Sequence, residues 1–136
     1  MLTRVSKILV INSDKSELVK VERFIVKIFE ENNLNKMHIN RTMLCVSEAV
    51  INSIEHGNKN DISKPVTIIV ECDLDHIYVR IKDEGRGFDL SKVSDPTMRQ
   101  NLKKESGRGI HIIRSLSDSL KYNRIGNSVQ LKIECK

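Results

Sequence analysis

From Pro65 onward the apolar residues of this chain recur at every second position, whereas before it they recur every three or four, and one core must serve both regimes. Leu18, Val21, Ile25, Ile28 and Phe29 mark one face of a helix that should end near Asn32 and Asn33. Asp14 followed by Glu17 resembles a capping box ahead of it. Ile39, Met43, Val46, Val50 and Ile54 mark a second helix, and Gly57 is placed to stop it through the left-handed conformation that glycine adopts readily. Val66, Ile68, Val70 and Cys72 then alternate with Thr67, Ile69 and Glu71, and Ile77, Val79 and Ile81 continue the alternation after a turn at 73–75. That pattern predicts a hairpin with one buried face.

Residues 5–11 read as a first strand, 107–116 as a third helix, and 120–124 and 129–133 as closing strands around a turn at Gly126 and Asn127. Helices and strands mix without regular βαβ alternation. The expectation is an α+β fold, a two-layer sandwich with a mostly antiparallel sheet and helices on one face. At 136 residues, the chain 1–136 is read as a single domain.

Apolar residues make up 39% and charged residues 30%, a balance suited to a globular domain and not to a disordered one. No stretch has the length of a membrane span, and the three cysteines, Cys45, Cys72 and Cys135, form no CxxC pair. A cytoplasmic protein with no membrane contact is expected. The net charge of +5 would suit nucleic acid, but the basic residues are scattered and aromatics reach only 4%, so no direct nucleic-acid partner is expected.

Three constellations carry chemistry. On the second helix Glu48, Asn52 and Glu55 are spaced to share a face, with His56 one turn beyond Asn52; they either border a pocket or form a solvated face. Asp83-Glu84-Gly85-Arg86-Gly87-Phe88 follows a strand, and its two glycines let backbone approach a flat ligand while a carboxylate can accept from an amino group. Ser106-Gly107-Arg108-Gly109-Ile110 opens a helix whose free N–H groups favour phosphate oxygens, though it lacks the GxxxxGK[ST] pattern. Between the last two, residues 89–106 are polar, contain Pro96 and show no period, as suits a functional loop.

Each motif alone also fits an ordinary turn or helix start, but their order and spacing are similar to the N, G1 and G2 boxes of the GHKL (Bergerat-fold) ATPase superfamily. Within it, SEAVINSIEHGN at 47–58 and DEGRGF at 83–88 most resemble the bacterial anti-sigma-factor serine kinases. The resemblance implies ATP and Mg²⁺ as ligands. It implies Asn52 on the metal, Asp83 on the adenine amino group, and His56, Gly85, Gly87 and Phe88 around the nucleotide. Gly107, Arg108, Gly109 and Ile110 would meet the phosphates, and Glu48 would be the general base. Residues 89–106 would be the ATP lid, with Arg99, Lys103 or Lys104 reaching the phosphates. A threonine usual in the final strand is absent, and Ser128 in Gly126-Asn127-Ser128 is its candidate substitute.

The function so implied is an ATP-dependent protein-serine kinase that sequesters a sigma factor and phosphorylates an anti-anti-sigma antagonist, acting as a homodimer. The alternatives are an ATP-binding regulatory module without phosphoryl transfer, and the ATPase or histidine-kinase catalytic piece of a larger assembly.

Overall fold

A computed structural model describes residues 5–85, 117–123 and 127–135. Among the described residues five strands form one sheet: β1 (Val5–Asn12), β2 (Pro65–Cys72), β3 (His76–Lys82), β4 (Ser119–Tyr122) and β5 (Ser128–Glu134), in the order β1-β2-β3-β5-β4. Every pairing is antiparallel. Helices α1 (Leu18–Glu31) and α2 (Ile39–Asn52) pack together, so the α+β expectation holds.

The register explains how alternation becomes a core. Ile68 pairs with Ile81 and Ile81 with Val129, while Val70 pairs with Val79 and Val79 with Leu131, so buried residues form continuous rows across the sheet. The same register sends Ile69, Arg80, Gln130 and Lys121 to the opposite face. Ile8 and Val10 of the edge strand are 63% and 57% exposed. Cys45, Cys72 and Cys135 are free and buried, and burial pushes each thiol up to about 11.

The first helix buries Val21, Ile25, Ile28 and Phe29, as its spacing predicts, and Asn33 ends it at φ 50. Asp14 accepts from Ser16 N at 2.9 Å and caps a 3-10 turn, Lys15–Glu17, before the α-helix begins. Glu17 reaches back to Asn12 N at 3.3 Å, so the reciprocal half of the box lands two residues earlier than a capping box requires. Phe29 is wholly inside the core, and Phe29→Ala should cost about 3–5 kcal/mol of folding stability, read from the urea midpoint. The Asp73 carboxylate accepts from Asp75 N and His76 N, which closes the β2–β3 turn.

Candidate functional site

Beyond Asn52 the second helix changes pitch. Ser53–Gly57 form a π-helical turn closed by Asn58 N–H donating to Ser53 O at 2.8 Å. Such turns insert a residue and redirect the side chains that follow. Glu55, expected beside Glu48 and Asn52, is accordingly turned toward Lys15, with an ion pair of 3.2 Å. His56 is exposed. Glu48 remains half-buried on α2, one turn before Asn52.

Asp83 stands just past β3 and is 5% exposed. Its carboxylate accepts from Gly85 N at 2.8 Å and from the Ser53 hydroxyl, while its own N–H donates to Asn127 O at 2.9 Å. Burial raises this carboxyl above the ordinary aspartate range, and the two hydrogen bonds pull it back only part of the way. The folded state therefore binds this proton more tightly than the unfolded chain. Ionised Asp83 subtracts stability at neutral pH, a penalty that lifts as pH falls through the raised value. A ligand amino group donating to the carboxylate would offset the same cost.

Two glycines bring these parts together. A methyl group at Gly57 would run into the Asp83 carboxylate, and one at Gly85 would run into the backbone carbonyl of Gly57. Neither glycine is left-handed; Lys59 and Asn60, at φ 55 and 59, make the turn that was expected of Gly57. What Gly57 supplies is room. The end of α2 and the turn after β3 touch backbone to backbone because neither carries a side chain there.

Between them lies a small cavity. Asn52, Ser53, Asp83, Asn127 and Ser128 give it polar atoms, and Ala49, Ile81, Tyr122 and Val129 give it apolar walls. Its volume is about 20 Å³, the room of one water, so the described residues form a floor for the edge of a planar ligand and do not enclose a purine. Asn52 Nδ2 is buried without a hydrogen-bond partner, which a native interior tolerates chiefly where a ligand or water completes the site. A desolvated carboxylate acceptor, an amide nitrogen with a donor to spare and side-chain-free backbone together fit the edge of a ring that carries both an amino group and acceptor nitrogens, and Asn52 also carries a neutral amide oxygen of the kind a hard cation accepts.

The structure thus brings Asn52, Asp83, Gly85 and Ser128 into one locality; Glu48 and His56 are not among the lining residues. Gly87, Phe88, Gly107, Arg108, Gly109, Ile110 and the lid 89–106 lie outside the described residues. Sequence reasoning missed Ser53, Asn58 and Asn127. A signal existed for two of them: Ser53 and Asn58 continue the apolar stripe of Val46, Val50 and Ile54, so polar side chains there had to be buried.

Comparison with known proteins agrees with this geometry. Residues 11–133 match the family described as the histidine kinase-like ATPase domain. The chain is 34% identical over 102 residues to an anti-sigma F factor of Clostridium beijerinckii, covering 72% of this chain and 71% of that protein. It is 31% identical over 86 residues to the serine-protein kinase RsbW of Oceanobacillus iheyensis, covering 59% of this chain and 54% of the relative. An anti-sigma F factor of the same organism is 42% identical over 80 residues, covering 55% and 53%. The chain therefore spans about half the length of most of these relatives. A crystal structure of the RsbU and RsbW domains of Rv1364c from Mycobacterium tuberculosis superposes with a TM-score of 0.66, covering 97% of this chain and 32% of that one, at 12% identity. That likeness concerns the fold alone. With the family match spanning both helices, β2, β3, β4 and nearly all of β5, the chain belongs to the histidine kinase-like ATPase domain family.

Proposed function

We propose that this protein binds ATP with Mg²⁺ and transfers the γ-phosphate to a serine of an anti-anti-sigma antagonist, while its other partner is a sigma factor. The observation that carries the reading is the convergence of the Asn52 amide, whose Nδ2 has an unused donor, and the buried Asp83 carboxylate on one cavity floor. Asp83 accepts the adenine amino proton there, and the bare backbone of Gly57 and Gly85 leaves room for the ring edge. Asn52 supplies a neutral oxygen toward the cation; Mg²⁺, when bound, neutralises charge on the transferring phosphate. By the resemblance, Gly107 and Gly109 would meet the phosphates and residues 89–106 would be the lid. Support for serine as acceptor comes from the relative named as a serine-protein kinase, and for the sigma-factor partner from those named anti-sigma F factors.

A homodimer belongs to the same proposal, and the exposed apolar edge formed by Ile8 and Val10 is suited to self-association.

Isothermal titration with ATP, with and without Mg²⁺, tests the binding step. The expected result is magnesium-dependent binding that weakens by about tenfold or more in Asn52→Ala and in Asp83→Asn, as loss of a partner at a buried polar site requires. Folded wild type that binds no ATP would sink the proposal; binding with no transfer to any serine would leave the regulatory module.

A further inference from the structure

Asn58 follows the π-helical turn and is 0% exposed. The chain continues past it through Lys59 and Asn60, both left-handed, a conformation uncommon for a lysine and so imposed by what surrounds it. The Asn58 side chain uses both of its ends. Nδ2 donates toward Ser13 Oγ at 2.8 Å, Pro65 O at 3.0 Å and Lys64 O at 3.2 Å, which ties the segment after β1 to the entry of β2. Oδ1 accepts from the backbone N–H of Glu84 at 2.8 Å. Scaffolding of the strand ends needs only the donors. The acceptor is directed at the residue next to Asp83.

From the other side, Asn127 O takes the Asp83 N–H, and Asn127 Nδ2 reaches Gly85 O at 3.4 Å. Residues 83–85 are therefore gripped by an asparagine on each flank, with Gly57 pressed against the carboxylate between them.

We propose that Asn58 is a positioning residue for base recognition: by holding the peptide between Asp83 and Glu84 it sets where the Asp83 carboxylate stands, and with it the preference for a purine that carries an exocyclic amino group. The proposal rests on the nucleotide-binding reading above. It concerns the discrimination between bases, which a residue that only stabilised the fold would not alter.

ATP and ITP separate the two roles, because ITP presents a carbonyl where ATP presents the amino group. Affinities for both, corrected for the folded fraction seen by circular dichroism, are measured for the wild type, Asn58→Ala and Ser13→Ala. In Asn58→Ala, ATP affinity should fall by about tenfold and ITP affinity by less than about twofold, so that the preference for ATP collapses. Ser13→Ala withdraws one partner from Nδ2 and should shift the preference in the same direction by about twofold; it carries the test if Asn58→Ala does not fold. An ATP-to-ITP ratio unchanged in the folded variants overturns the positioning role while leaving the nucleotide site standing. A wild type that binds neither nucleotide overturns both.

Discussion

Gly85→Ala should weaken ATP binding by about a hundredfold or more and lower folding stability by about 1–3 kcal/mol. The added methyl lands on the carbonyl of Gly57, a backbone atom that no rotamer change can move. Relief requires the turn after β3 to part from the end of α2, and that parting breaks the bond from the Ser53 hydroxyl to the Asp83 carboxylate and the one from Glu84 N to Asn58. Overpacking accounts for the stability loss; loss of the carboxylate's position accounts for the larger effect on binding. Gly57→Ala offers a comparison, because its methyl meets the Asp83 side chain, which can swing aside: the stability loss there should be smaller, while ATP binding still falls because the carboxylate is displaced. Titration calorimetry and urea unfolding on the same samples separate the two terms. Wild-type ATP affinity in a folded Gly85→Ala protein would show that this contact lies outside the nucleotide site.

The elements were legible because their apolar periods are long and clean. Eight residues of strict alternation in β2 and a four-residue stripe in α1 leave little choice of conformation, and the bounds of α1 and of the hairpin follow, whereas α2 gives way to a π-helical turn at Ser53 short of the stop expected at Gly57. The site was legible in outline, since Asn52, Asp83 and Gly85 sit in motifs whose chemistry can be read from residue type and spacing. What escaped was everything decided by contact between distant segments. Gly57 reads as a helix stop in one dimension; only against Asp83, 26 residues later by the same separation that joins Asn58 to Glu84, does it become the place where two backbones touch. The ion pair of Glu55 with Lys15, and the π-helical turn at Ser53–Gly57 on which it sits, could not be read from a 3.6-residue period. Asn127 looked like a turn residue, and its bond to the Asp83 backbone exists only because β5 pairs with β3.

Glu48→Ala should reduce phosphoryl transfer to a serine-bearing antagonist by about a hundredfold to ten-thousandfold, while ATP affinity stays within about twofold of the wild type. The separation follows from where the residue stands. Glu48 lies one turn before Asn52 on an α-helical stretch, so the two side chains share a face, yet Glu48 is not part of the cavity floor. Under the proposed function a carboxylate outside the floor has no hold on the base, and its task is the proton of the serine hydroxyl. Glu48→Gln sharpens the test, because it keeps the shape and polarity of the side chain and removes only its basicity. Initial rates of labelled-phosphate transfer at saturating ATP should fall alike in Glu48→Ala and Glu48→Gln if proton removal is the role. A Gln variant that transfers at the wild-type rate beside a defective Ala variant would assign Glu48 to orienting the acceptor instead. Transfer at full rate in both would remove the general base from α2 altogether.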